Sequence, residues 1–153
     1  MSVETLAPTT NAAWRVDVNT GTEAVPVWTQ VRASSSVVPA VNPTTQDATD
    51  YDSEGWGSDA VTLRKWQLQL VLMRKVDATA AYDPGQEKLR AAADAVELVH
   101  VRWYDRTAVT AEAYEGEAIV QWQPTGGPAD GLQTVNATCL GQGARREIAH
   151  PGV

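Results

Sequence analysis

The side chains that could do chemistry in this chain are few and far apart. His100 and His150 lie fifty residues from each other, and no H-E-x-x-H or similar metal-ligand spacing surrounds either one. Gly126-Gly127 and Gly141-Gln142-Gly143 are too sparse for a phosphate loop. G-Q-G-A-R-R resembles half of one, but no Lys-Ser/Thr follows it. Ser34-Ser35-Ser36 has no base nearby in sequence. Glu115 and Glu117, two apart on an alternating segment, share one strand face and could in principle act as a carboxylate pair. Solvated charge, or the wall of a channel, explains the same spacing with less. Cys139 is the single cysteine, which excludes an internal disulfide and a cysteine-based metal cluster. In T-V-N-A-T-C-L it reads as a small buried hydrophobe. Asn136-Ala137-Thr138 is a glycosylation sequon in a chain without a secretion signal. The expectation is a protein that is not an enzyme and has no cofactor or metal.

Six Trp and four Tyr, with no Phe, carry the aromatic content. Trp14, Trp66, Trp103 and Trp122 each align with aliphatic neighbours at a spacing of two, which predicts core positions. Trp28 and Trp56 are less clearly interior, and exposed tryptophan faces bind sugars in some small sandwich domains.

The elements follow from periodicity. Residues 12–19 alternate as a strand with Trp14, Val16 and Val18 on one face. Asn19-Thr20-Gly21-Thr22 supplies a turn, and residues 25–31 predict a second strand with Val25, Val27 and Val31 together. In residues 62–76, Trp66, Leu68, Leu70 and Leu72 face one way, and Lys65, Gln67 and Gln69 the other. A helix would scatter the four apolar residues around its cylinder, so this segment is read as a long strand. Asp83-Pro84-Gly85-Gln86 is a helix start: a capping carboxylate, proline at the first position, and Gln86 three residues after the cap. Leu89, Ala92, Ala93 and Val96 then recur at helical spacing. Residues 97–106 set Val99, Val101 and Trp103 against His100 and Arg102. Residues 111–123 set Ala118, Val120 and Trp122 against Glu115, Glu117, Gln121 and Gln123. Residues 132–140 set Val135, Ala137 and Cys139 against Thr134, Asn136 and Thr138. Residues 145–150 are a last short strand or an arm. Six or seven strands and one helix predict a mainly β, mostly antiparallel sandwich or barrel with a flanking helix, in a single domain spanning residues 1–153.

Between these elements, residues 33–60 show no regular hydrophobic pattern and predict a long loop. It holds Asp47, Asp50, Asp52, Glu54 and Asp59 and no Lys or Arg, so it supplies five of the seven net negative charges of the chain. It also carries Tyr51 and Trp56, large apolar groups that suggest a surface built to meet another protein. An acidic chain does not wrap nucleic acid tightly. No apolar run has membrane-spanning length, and the N-terminus M-S-V-E-T-L lacks signal-peptide character, so synthesis in the cytoplasm and no membrane partner are expected.

The order of parts is specific. A hairpin leads to the polar loop, D-S-E-G-W-G-S-D, and the long T-L-R-K-W-Q-L-Q-L-V-L-M-R-K segment. A D-P-G-Q-E-K-L-R-A-A-A helix, V-E-L-V-H-V-R-W-Y-D-R, A-Y-E-G-E-A-I-V-Q-W-Q-P-T-G-G and T-V-N-A-T-C-L-G-Q-G follow. Over nearly the whole chain this resembles the major tail proteins of long-tailed phages, especially those infecting actinobacteria. The resemblance implies a β-sandwich or half-barrel with one helix, six subunits to a ring, and rings stacked into a tube through which DNA passes without specific binding. It implies a virion location after synthesis in the host cytoplasm, with a tape measure protein, a tail terminator and a baseplate initiator as partners. Within that frame, Glu115, Glu117, Gln121 and Gln123 are expected to line the lumen, with Gln67, Gln69, Thr134, Asn136 and Thr138 beside them. The loop at 33–60 and a C-terminal arm at 142–153 are expected to bridge subunits, the loop docking on Arg64, Lys65, Arg145 and Arg146 of a neighbour. The other functions open at this level are a tail terminator or capsid decoration protein, and a monomeric carbohydrate-binding module.

Overall fold

A computed structural model describes residues 5–152. Residues 1–4, part of the N-terminus read above for signal-peptide character, lie outside the described residues, as does Val153. The chain is mainly β: β1 (Trp14–Asn19), β2 (Trp28–Gln30), β3 (Ser34–Asp47), β4 (Asp59–Met73), α1 (Pro84–Ala95), β5 (Leu98–Asp105), β6 (Ala113–Pro124) and β7 (Thr134–Glu147). All seven strands join one antiparallel sheet in the order β2-β1-β5-β6-β7-β4-β3.

That order forces the sheet to curl. β2 and β3 form opposite edges, six strand spacings apart, so a flat sheet would separate them by roughly 29 Å at about 4.8 Å per spacing. Only residues 31–33 connect them, and four residue steps reach at most about 14 Å. The link is held at both ends: Val31 N–H donates to Val16 C=O at 2.9 Å, and Met73 N–H to Ala33 C=O at 2.9 Å. The two edges therefore converge at one end, giving a half-barrel whose single sheet wraps its own core.

Helix α1 closes this seam. Asp83 caps it, accepting from Gln86 N–H at 3.2 Å and also from Arg32 N–H in the link at 3.1 Å. Gln86, fully buried, does not return to the cap as a capping box would. Its amide donates to Arg32 C=O at 2.7 Å and to Met73 C=O at 3.1 Å, and accepts from Arg74 Nη1 at 3.0 Å. It thus ties the link to β4. Gly85 packs so closely on Gln30 that a Cβ would lie 2.4 Å from its carbonyl oxygen. Leu89 and Ala92 enter the core as expected. Val96 does not: it adopts a left-handed cap conformation (φ 54°) and is exposed, because the helix has already ended.

The core holds Val16, Val18, Trp66, Leu68, Leu70, Leu72, Val99, Val101, Trp103, Ala118, Val120, Ala137 and Cys139. Trp66 lies flat across β7 and β6 to meet Trp103 on β5, ring centroids 4.9 Å apart. Gly141 and Gly116 make this possible, since a Cβ at either would fall within 2.5 Å of the indole.

Three expectations are corrected. Residues 33–60 are not a loop: β3 fills Ser34–Asp47, β4 begins at Asp59, and only residues 48–58 form the tip of a long hairpin. β3 is an edge strand with much of its length exposed on both faces, so nothing imposes alternation on its residues. Residues 142–147 belong to β7 rather than to an arm. β2 is only three residues long, with Val25 and Val27 exposed and only Val31 buried, because Thr20 N–H and Thr22 N–H turn the chain around at Val27 and Val25.

Candidate functional site: the polar sheet face and the hairpin tip

Strand pairing places the residues opposite the core in rows. Gln69 on β4 pairs with Thr138 on β7, which pairs with Gln121 on β6. Val71, Asn136 and Gln123 form the next row, and Met73 with Thr134 the next. Gln67, Leu140, Ile119 and Leu98 form a fourth, running on to β5. Gln67, Gln69, Gln121, Gln123, Thr134, Asn136 and Thr138 thus share one face, interleaved with Val71, Leu140 and Ile119. Glu115 and Glu117 lie on the same face toward β5, paired with Arg102 and His100.

Two of the carboxylates on this face are paired within the chain. Glu115 Oε1 accepts from Arg146 Nε at 3.2 Å, and Glu115 Oε2 lies 3.3 Å from His100 Nε2. Glu115 is therefore engaged by its own chain, and a β-bulge separates it from Glu117 on the β7 side. Asp17, fully buried, accepts from Arg15 Nε at 3.0 Å and from Arg102 Nε at 2.9 Å. The Arg102 guanidinium also stacks over Trp28, 4.6 Å from the ring centroid, and His100 meets the same indole edge-on at 4.9 Å. This cluster fastens β1 and β2 to β5. Sequence reasoning missed it: Asp17 was simply the polar residue between Val16 and Val18, and its partner Arg102 lies 85 residues away.

The second feature is the β3–β4 hairpin tip. Ala48 N–H donates to Ser58 C=O at 2.8 Å, and Ser58 N–H to Thr49 Oγ1 at 2.8 Å. Asp47 and Asp59 face each other across the last pair of the ladder. Hydrogen bonds from the Thr49 side chain and amide hold the Asp47 carboxyl below its usual range. Asp50 accepts from Asp52 N–H at 3.0 Å, and a single 3-10 turn covers Tyr51–Ser53. Glu54 (φ 52°) and Gly55 (φ 84°) reverse the chain. Tyr51 is fully exposed and Trp56 is 81% exposed. The sequence-predicted acids and anchors are thus brought together on a protruding arm.

The basic candidates divide. Arg64 and Lys65 lie exposed on β4 near the hairpin base, opposite Pro43 and Asn42. Arg146 is bound to Glu115, and Arg145 stacks over Tyr114 at 3.9 Å. A groove of about 850 Å³ runs between the hairpin base and β7, lined by Val41, Arg64, Lys65, Gln142 and Arg145 among others. Of the tryptophans, Trp14, Trp66, Trp103 and Trp122 join or abut the core. Trp28 is half-buried under Arg102, so Trp28 and Trp56 make no shared platform.

No protein-family model matches the chain, and no curated protein matches its sequence. Solved structures do match its fold. A chain from the tail of an empty gene transfer agent particle, refined with C6 symmetry, superposes with a TM-score of 0.71 at 14% identity, covering 93% of this chain and 100% of that one. A chain of the SPP1 tail tube gives 0.67 at 10% identity, covering 92% and 80%. A chain of the six-fold symmetrised baseplate of the anti-feeding prophage gives 0.61 at 9% identity, covering 99% of each. The fold of this chain is the fold of these tail components.

Proposed function

We propose that this chain is a structural subunit of a phage tail tube, assembling into six-membered rings that stack around a DNA-conducting lumen in the virion. The observation that carries the proposal is the fold, shared over more than nine-tenths of the chain with components of two tails. One core face and one polar face on a single curled sheet suit a subunit that packs on one side and meets water on the other. In this proposal the rows built from Gln67, Gln69, Gln121, Gln123, Thr134, Asn136 and Thr138 line the lumen, with Glu115 and Glu117 at their margin. Three carboxylates (Asp17, Glu115, Glu117) lie with three guanidiniums (Arg15, Arg102, Arg146) and the Lys65 ammonium on this face. The wall is then an amide and hydroxyl surface of near-zero net charge, which gives phosphates little to bind and little to be repelled by.

The hairpin tip docks on a neighbouring subunit in the same proposal. Its acids suit the exposed Arg64 and Lys65 and the Arg145-lined groove of another copy, and burial of Trp56 would contribute most of the affinity. A tape measure protein, a terminator and a baseplate initiator are the partners this role requires.

Size-exclusion chromatography with negative-stain electron microscopy tests the proposal. Six-fold rings or tubes are expected from concentrated protein or from protein co-expressed with its tail neighbours. A monomer that neither condition converts would overturn it, and retention of that monomer on a carbohydrate column would favour the binding-module alternative.

A further inference from the structure

The two ends of the sheet are unlike. At the end where β6 begins, residues 5–10, T-L-A-P-T-T, leave the body as an exposed arm outside any helix or strand, with Leu6 90% exposed. Pairing of Trp14 with Asp105, and of Tyr104 with Ala113, fixes the arm's root at that end. At the other end β6 closes on β7 through Pro124↔Val135. There a pocket of about 570 Å³ lies beside the turn between these strands, lined by Arg74, Tyr82, Trp122, Pro124, Pro128 and Leu132 among others. Tyr82 and Leu132 are both exposed at it.

Arg74 is a fixed wall of this pocket rather than a free charge. Its side chain is 8% exposed, and it donates to Gln86 Oε1 at 3.0 Å and to Glu87 Oε1 at 2.6 Å. Its guanidinium stacks over Tyr82 at 3.8 Å and lies 5.2 Å from the Trp122 ring centroid. No other lining residue is charged at neutral pH. The pocket therefore offers aromatic and proline surface, and the acids of the hairpin tip would find no unpaired cation among its lining residues. An uncharged extended segment fits it better. The arm is uncharged from Thr5 to Thr10, and Pro8 fixes its own φ and biases Ala7 toward extended backbone. Segments of that kind dock on aromatic-lined grooves at low entropic cost. A chain's own arm falls short of the pocket. The eleven steps of β6 span roughly 37 Å at about 3.4 Å each. Eight steps from Trp14 back to Leu6 reach at most about 29 Å, and the 3-10 turn at Asn11–Ala13 shortens them.

We propose that the pocket at Tyr82, Trp122 and Leu132 receives the Leu6-Ala7-Pro8 arm of a second copy of this chain. The contact covers Leu6, Leu132 and the exposed part of Tyr82, which are left open in the single subunit. Arm and pocket lie at opposite ends of one subunit, so the contact is heterologous and repeats head to tail. It uses neither edge strand, and both edges stay available for side-by-side contacts. Under the tube reading it links subunits of successive rings. The site itself needs only the arm and the pocket, and stands without that reading.

The test titrates the isotope-labelled subunit with a peptide of residues 5–11, T-L-A-P-T-T-N, followed by NMR. Saturable shifts are expected at the Trp122 indole and in residues 126–132, with the hairpin tip and the polar sheet face unmoved. Leu132→Asp in the subunit, or Leu6→Asp in the peptide, should weaken binding by about tenfold or more. Leu132 is exposed, so the subunit variant is expected to keep wild-type circular dichroism. A second measurement uses the Cys139→Ala background. There the double variant L6C/L132C should give a disulfide ladder beyond the dimer on oxidation of concentrated protein, while L6C or L132C alone stops at dimers. Absence of any saturable shift at Trp122 would overturn the proposal. So would equal binding by Leu132→Asp, or a peptide of residues 48–58 taking this pocket in preference to the arm. Tubes formed by a subunit that ignores the arm peptide would sink this contact and leave the tube reading standing. Peptide binding by a subunit that never forms rings would do the reverse.

Discussion

Gly141→Ala measures how much of this subunit depends on one indole lying flat across two strands. A Cβ at Gly141 would stand 2.3 Å from Trp66 Cε2, 2.4 Å from Nε1 and 2.5 Å from Cδ2. Ordinary carbon contacts begin near 3.5 Å, so the ring must retreat by about 1 Å. Retreat loosens the 3.1 Å hydrogen bond from Trp66 Nε1 to Gly143 C=O, which contributes about 0.5–1.5 kcal/mol. It also disturbs the Trp66–Trp103 contact, about 0.5–1.5 kcal/mol. Overpacking strain adds about 1–3 kcal/mol, and the lower chain entropy of alanine returns about 0.5–1 kcal/mol. The expected net loss is about 3 kcal/mol, a fall in melting temperature of roughly 6–12 °C for a chain of this size. Urea unfolding followed by tryptophan fluorescence reads it. The decisive comparison is a double-mutant cycle with Trp66→Leu, in which the branched side chain no longer covers Gly141. There Gly141→Ala should cost less than about 0.5 kcal/mol, at the level of additivity error. An equal cost in both backgrounds would refute the claim that the glycine exists to seat the indole.

Gln86→Leu should lower stability by about 3 kcal/mol, because Arg32 C=O and Met73 C=O lose their donor where the sheet edges converge; Gln86→Glu should not rescue it in a thermal melt at neutral pH, since a carboxylate has no proton to donate. Cys139 is fully buried and burial pushes its thiol up to about 12, so Ellman's reagent at pH 8 should label it only as the protein unfolds. Its folded value lies above the unfolded one, so the associated stability is complete below pH 9 and declines as pH rises toward 12; Cys139→Ala should remove that dependence at a loss of about 1 kcal/mol. The Arg90 and Arg74 guanidiniums hold the Glu87 carboxyl below its usual range, so its contribution is present above pH 4.5 and lost as pH falls through the lowered value; Glu87→Gln should flatten that part of the acid-unfolding profile. Replacing residues 48–58 by an Asn-Gly turn should leave a folded subunit that forms no tubes by electron microscopy, and Trp56→Ala should weaken assembly more than any single acid-to-amide change; normal tubes from the shortened hairpin would show that the tip is passive.

Strands that cover the core were legible because burial on one face imposes a period of two. Trp66, Leu68, Leu70 and Leu72 are buried as the alternation requires, and so are Val99, Val101 and Trp103. The helix start was equally legible, since Asp83-Pro84 is local chemistry. β3 was not, because an edge strand running out into solvent has no face to keep apolar; its signal lay in β-branched composition, with Pro39 and Pro43 reading as breaks. Alternation could sort Gln67 through Thr138 onto one face but could not pair charges across strands. That Glu115 meets Arg146, and Asp17 meets both Arg15 and Arg102, depends on registers that no single strand encodes. Gln86 was assigned to its own helix cap because the carbonyls it bridges, Arg32 and Met73, lie 54 and 13 residues away.

The place of β7 in the sheet has a consequence for the nascent chain. β7 lies between β6 and β4, yet it is translated after both. Until it leaves the ribosome, β2-β1-β5-β6 and β4-β3 are separate pieces that no ladder joins, and Leu68, Leu70 and Leu72 have no complete floor. Co-translational folding can therefore prepare two hairpin-based fragments but cannot close the subunit. Closure is a single late insertion by a fourteen-residue strand, paired on both sides at once. A chain stalled or cut before residue 134 would carry the open edges of both fragments and the means to shield neither.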